Sequence, residues 1–216
     1  DPAAVAANHA RVCAALSIDV GRLVRCHLVH GRAIHVVTAA DAGRWLGQAD
    51  GMVTAEPGVF LTMRFADCVP ILLHDPRRRA VGVVHAGWRG TLQDVAGAAV
   101  RTMVEALGCA PGDISAFIGP AIGPCCYEVG EEVISAARAV LPASDCVTLF
   151  REWSGNCGRP HFDIWEANRR QLRAVGVGEV AVMGMCTACH SDQFFSHRAE
   201  GGRTGRFGAV IGYRDK

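Results

Sequence analysis

No apolar run in this 216-residue chain approaches the roughly 20 residues that a membrane-spanning helix requires. The longest, 69–73 and 80–84, are far shorter. Nor is there an excess of charge of either sign. Twenty-two Lys and Arg against 21 Asp and Glu leave a formal net charge of +1, so the chain has no strong field for nucleic acid or an anionic membrane. Repeats, low-complexity tracts and linkers are missing too, which leaves one domain over 1–216 as the economical division. None of the nine His forms a His-x-His pair, whereas a multicopper centre needs roughly ten imidazoles in paired arrangements. No export signal is visible, so the expected location is cytoplasmic. The ten Cys are then expected to be mostly reduced thiols, because a chain of this length can build its own core without a disulfide framework.

What is present is a core. Half of the residues are hydrophobic. Helical periodicity covers 2–16, 91–107, 131–140 and 164–174. In the second of these, Leu92, Val95, Ala96, Ala99, Met103 and Leu107 share one face, and Gly108 can end the helix in a left-handed conformation. Strand-like runs fall at 23–29, 33–37, 59–65, 69–73, 80–84, 115–118, 179–183 and 207–211. They alternate irregularly with the helices. That pattern predicts an α+β fold, with mixed β-sheets and helices packed on the outer faces, rather than a doubly wound parallel sheet.

Three segments carry the chemistry: LVHG ending at Gly31, ADCVP around Cys68, and VVHAGWRG around His85. Each puts one strong metal-binding side chain beside a turn. His30, Cys68 and His85 would supply the three protein ligands of an open zinc site, with water in the fourth position. Each residue also has a plainer reading. A single His is commonly buried with one hydrogen bond, and a buried Cys commonly behaves as a small hydrophobe. Asp67 can orient a ligand imidazole or cap a turn. Gly87 and Gly90 bracket Trp88 and Arg89 between a strand and a helix, where the turn and Arg89 could hold a phosphate; Arg89 could equally be solvated.

Further along, the Gly and Pro cluster at 119–124 leads to Cys125, Cys126, Tyr127 and Glu128. Tyr127 either stacks on a purine or packs in the core behind a rigid turn. Phe194, Phe195, His197, Arg198, Arg203 and Arg206 combine aromatics with guanidinium groups suited to phosphate or ribose hydroxyls, and Arg198 and Arg206 are the chosen anion contacts. Cys13, Cys26, Cys109, Cys146 and Cys157 stand singly and read as packing residues. CTACH, 186–190, satisfies the C-x-x-C-H pattern of covalent haem attachment, but five residues are a weak signal; a redox pair or a second metal site are its other readings.

ADCVPILLHD, VGVVHAGWRG, FIGPAIGPCCYEVG, and FFSHR followed by GGRTGR occur in the order seen in the YfiH/LACC1 family, which the chain resembles over nearly its whole length. The resemblance implies a single YfiH-like catalytic domain of complex mixed architecture. It also implies a zinc-dependent purine nucleoside phosphorylase that takes a purine nucleoside (adenosine, inosine, guanosine or methylthioadenosine) and phosphate, and releases free base and ribose 1-phosphate. Adenosine deaminase activity would accompany it, with a zinc-bound water attacking the purine; no protein acid/base is assigned. The family site maps onto His30, Cys68 and His85; Arg89, Tyr127, Arg198 and Arg206, read from the residues themselves, are the candidates for phosphate and substrate contact. Two departures are visible. Family members usually begin with a further strand and glycine-rich loop, which the opening DPAAVAAN lacks, and Ala199 and Glu200 stand where an Arg-Asp pair is typical. The alternatives are a Cys-His hydrolase acting on peptidoglycan precursors, with Cys68 as nucleophile and His85 as base, and a copper-dependent, laccase-like polyphenol oxidase. A structural zinc domain closed by Cys26 or His27 is the non-enzyme reading. Oligomeric state is left open.

Overall fold

The structure is a computed structural model that describes residues 2–152 and 160–214. The strands are β1 (Leu23–His27), β2 (Ile34–Val36), β3 (Trp45–Gln48), β4 (Gly51–Thr54), β5 (Phe60–Phe65), β6 (Val69–Asp75), β7 (Ala80–Ala86), β8 (Ser115–Ile118), β9 (Phe150–Glu152), β10 (Pro160–Phe162), β11 (Glu179–Val182) and β12 (Phe207–Gly212). The helices are α1 (Pro2–Ala15), α2 (Trp88–Leu92), α3 (Val95–Leu107), α4 (Glu131–Val140), α5 (Ala143–Leu149) and α6 (Ile164–Ala174).

Two mixed sheets carry the fold. The larger has the order β11-β8-β6-β7-β4-β2 and the smaller β12-β5-β1-β3. In the larger, β6 pairs antiparallel with both β7 and β8, while β8–β11 and β2–β4 are parallel. The strand β7 shows why the layers stack as they do. All seven of its residues are buried, because side chains on its two faces enter two different cores. Ala80, Val84 and Ala86 face a core shared with α3 and α6, whereas Val81 and Val83 face one shared with the smaller sheet. The strand β5 repeats the logic: Leu61, Met63 and Phe65 point at the larger sheet, and Phe60 packs outward with Cys13 of α1. Sheet lies on sheet, with α3 and α6 on one outer face and α1 on the other. The expected mixed architecture with outer helices is the observed one.

The stripe on α3 behaves as read. Val95, Ala96, Ala99 and Met103 are buried, and Gly108 closes the helix at φ 66°. The expected 91–107 helix, however, starts at Trp88 and breaks before Val95. Asp94 sits in the left-handed region at φ 61° and takes a 2.8 Å hydrogen bond from Arg101. Asp tolerates that region better than most residues, so a non-glycine break leaves no sequence mark. The strand expected at 23–29 ends at His27, freeing the next residues for a turn that holds His30. Elements β3, β4, α5, β9 and β10 were not anticipated; all but α5 are three or four residues long, too short to show periodicity. Cys13, Cys26 and Cys109 are buried, as packing residues should be, and Cys157 lies outside the described residues.

Candidate metal centre

His30 stands in a turn that the chain would not adopt unaided. Its φ is 58°, a left-handed value that costs a non-glycine residue about 1 kcal/mol. The restraint comes from Asp50, fully buried just before β4. Its carboxylate accepts from the backbone N–H groups of Val29 (3.2 Å), His30 (2.9 Å) and Gly31 (2.7 Å). One buried charge thus gathers three otherwise orphaned donors and aims the imidazole.

Cys68 is presented in a parallel way. It immediately precedes β6, and Asp67 before it adopts φ 81°. The Asp67 carboxylate, also buried, accepts from Thr187 Oγ1 (2.6 Å), Ser196 Oγ (2.7 Å) and the backbone N–H of Arg198 (2.6 Å). Of the two roles open to Asp67 in the sequence, neither describes it: it ties a distant segment to the turn that carries Cys68. The imidazole-orienting carboxylate is Asp50 instead.

His85 lies within β7 and is 3% exposed. Its Nδ1 is 2.9 Å from Asp50 Oδ1. A carboxylate can only accept, so the proton sits on Nδ1 and Nε2 is left for the cavity side. The three donor atoms of His30, Cys68 and His85 lie within 4.8 Å of one another, the compactness one divalent ion needs. Gly87 leaves the room: a Cβ there would stand 2.9 Å from His30 Nδ1 and 3.2 Å from Cys68 Sγ. The residues that were expected to converge do converge, and the cluster can hold a metal.

Electrostatics favour that use. Burial pushes the Cys68 thiol up, but hydrogen bonds from His30 and His85 outweigh it and bring the group from 9.0 down to about 6. Burial likewise pulls His85 down, while Asp50 and Cys68 lift it from 6.5 to about 9. Both shifts favour a thiolate beside an imidazolium between about pH 6 and about pH 9 in the metal-free protein, and a cation can replace that proton. Alkylation of Cys68 in the metal-free protein is therefore expected to speed up as pH rises through about 6 rather than about 9. Added zinc should suppress it above about pH 6, where the ligands can give up their protons to the metal; peptide mapping by mass spectrometry after iodoacetamide reads both effects.

The cluster forms the floor of a cavity of about 340 Å³, lined also by Arg64, Arg89, Tyr127, His197, Arg198 and Arg206. Arg89 lies 4.2 Å above the Trp88 ring and pairs with Glu132 at 2.7 Å, so its charge is already shared. Arg198 donates to the carbonyls of Cys126 (3.1 Å) and Glu128 (2.9 Å), with its guanidinium 5.7 Å from the Tyr127 ring centre. Arg206 donates to the carbonyls of Thr204 and Gly205 in its own segment. Tyr127 packs on the core beside Phe162 and also lines the cavity. Arg64 was not anticipated, being one exposed residue in an otherwise buried strand. Its outward position in the alternation of β5 is the signal that could have found it. Asp50 left a weaker trace, an Asp-Gly step that marks a turn.

Two stacked mixed sheets flanked by helices, with a His, Cys, His cluster opening on an arginine-lined cavity, define a class of metal-capable α+β proteins. The chain belongs to the family described as "Multi-copper polyphenol oxidoreductase laccase", whose model matches residues 1–214. It is 42% identical over 218 residues to "Purine nucleoside phosphorylase YlmD" of Geobacillus stearothermophilus, covering 97% of this chain and 78% of that one. It is 43% identical over 212 residues to "Purine nucleoside phosphorylase" of Deinococcus radiodurans, covering 98% and 78%. The crystal structure of hypothetical protein YfiH from Bacillus licheniformis superimposes with a TM-score of 0.89 at 37% identity, covering 96% of this chain and 80% of that chain. The resemblance to the YfiH family read from the motifs is thereby borne out. No described helix is long and apolar enough to cross a membrane.

Proposed function

We propose that the chain is a zinc-dependent purine nucleoside phosphorylase that also deaminates adenosine. The observation that carries this reading is the cavity itself: three soft and borderline donors converge on its floor while four guanidinium groups line it. The names of the relatives, purine nucleoside phosphorylases, support the phosphorolysis part of this reading.

In phosphorolysis a phosphate oxygen forms a bond to the anomeric carbon as the bond from that carbon to the purine nitrogen breaks. The electron pair leaves with the base, which takes up a proton. The chain's residues hold the phosphate dianion against Arg64, Arg198 and Arg206, place the purine along Tyr127, and exclude bulk water with Ile122 and Ile164. When bound, zinc supplies Lewis-acid polarisation and an activated water, the second of which is what deamination at the purine amino carbon requires. Asp67 does not serve as acid or base, since its oxygens are taken by Thr187, Ser196 and Arg198. We favour zinc over a multicopper centre because nine His with no His-x-His pair fall short of the roughly ten paired imidazoles that such a centre needs.

Zinc-loaded protein with adenosine and phosphate should yield adenine and ribose 1-phosphate by chromatography, and inosine when phosphate is omitted. Absence of both products overturns the reading. Arg206 tests the phosphate side: Arg206→Ala should raise KM for phosphate about 10- to 100-fold, the worth of one lost charge-assisted hydrogen bond, with kcat moving less. An unchanged KM removes Arg206 from the phosphate site. One observation favours the hydrolase as second reading, namely that Cys68, His85 and Asp50 follow one another like nucleophile, base and orienting carboxylate. A covalent acyl adduct on Cys68 in an intact-mass spectrum would select it.

A further inference from the structure

CTACH matched three chemistries in the sequence, and the cavity uses none of its residues. The fold brings it against a second pair of cysteines. The sulfurs of Cys125, Cys126, Cys186 and Cys189 all lie within 4.8 Å of one another. Cys189 Sγ is 3.6 Å from Cys125 Sγ and 3.4 Å from Cys126 Sγ. Four sulfurs held tetrahedrally around one zinc at about 2.3 Å would stand about 3.8 Å apart, which matches this spacing.

We propose that these four cysteines bind a zinc ion as a closed, all-thiolate structural site, distinct from the His30, Cys68, His85 centre. The backbone is arranged for it. Residue 121 bridges in parallel to Cys186, and the N–H of Thr187 bonds the Ala121 carbonyl at 3.1 Å, so the two cysteine-bearing segments are registered independently of any sulfur contact. The N–H of Gly123 donates to Cys186 Sγ at 3.2 Å, a contact that stabilises a thiolate. On binding, each thiol passes its proton to solvent and the metal takes the four sulfur lone pairs; nothing is oxidised. The haem reading of CTACH loses its sulfurs to this arrangement, and His190 Nδ1 lies 2.9 Å from the Cys186 carbonyl oxygen.

The site also has a function in the fold. Cys125 and Cys126 immediately precede Tyr127, while CTACH itself contributes Thr187 to Asp67 and leads into the segment that adds Ser196 and Arg198. A four-thiolate clamp would pin both walls of the cavity at one point.

The test uses the full chain with its other centre removed. His30→Ala/Cys68→Ala protein, purified with zinc under reducing conditions, should retain about one equivalent of zinc by mass spectrometry. Loaded with Co²⁺, it should show the intense visible bands of tetrahedral thiolate cobalt, and adding Cys186→Ser should abolish both. Zinc-free His30→Ala/Cys68→Ala protein with a native circular-dichroism spectrum overturns the proposal. If that variant fails to fold, iodoacetamide mapping of the unaltered chain decides: protection of all four cysteines that ends when a chelator strips the metal supports the site. Ready alkylation of the zinc-replete protein, or a native disulfide among the four, refutes it.

Discussion

Cys68→Ala is expected to cost the protein its His-bound zinc and at least about a thousandfold in kcat/KM for phosphorolysis. Loss of metal catalysis amounts to several kcal/mol of transition-state stabilisation, and about 1.4 kcal/mol is a decade in rate. The fold should survive, because the side chain faces the cavity and the turn that carries it is held by Asp67 rather than by the sulfur. His85→Ala should fall to the same level, and the pair of substitutions together should lose little more than either alone, as expected of groups that act as a unit. Zinc content by mass spectrometry and steady-state kinetics are the readouts. Full activity in a Cys68→Ala protein that carries no zinc at His30 and His85 would remove the centre from the reaction.

Asp50→Ala should be the most damaging substitution for stability. The carboxylate is fully buried and serves three backbone donors and His85 at once. Removing one partner from such a buried charged network costs about 3–5 kcal/mol. The His30 turn then loses what holds it at φ 58°, and His85 loses its orienting acceptor. Metal affinity should drop about 10- to 100-fold even in molecules that stay folded. Asp50→Asn keeps an acceptor for part of the network and should fall between the two. Urea unfolding and zinc titration against a competing chelator separate the two losses; an Asp50→Ala protein with unaltered midpoint and affinity would show that the turn is held otherwise.

The contrast between Asp50 and the three cluster residues explains what could be read from the chain alone. His30, Cys68 and His85 each announce themselves locally, as a soft or borderline donor next to a glycine or at the end of an apolar run. Asp50 becomes functional only because β4 lies beside β7, where its own carbonyl accepts from the His85 N–H at 2.7 Å, and no spacing in the sequence encodes that pairing. The same holds for Asp67, whose partners lie more than a hundred residues further on. The long helices and the buried strands were legible because each spans enough residues to show a period. The strands β3 and β4 were not, for both are only four residues long and the first turns partly exposed side chains outward. Cys125 and Cys126 were visible as a pair and CTACH as a pattern, yet only the bridge at Ala121 brings them face to face.

The three side chains of the centre are graded in their access to water: His30 is exposed, Cys68 half-buried, and His85 sealed with Asp50 and Phe65 at its back. An ion therefore arrives and departs through the mouth of the cavity, the same doorway that the proposed nucleoside would use. On the proposed reading, occupancy by the larger guest would block the smaller one's way out, so that metal exchange should be slower with nucleoside bound than without it.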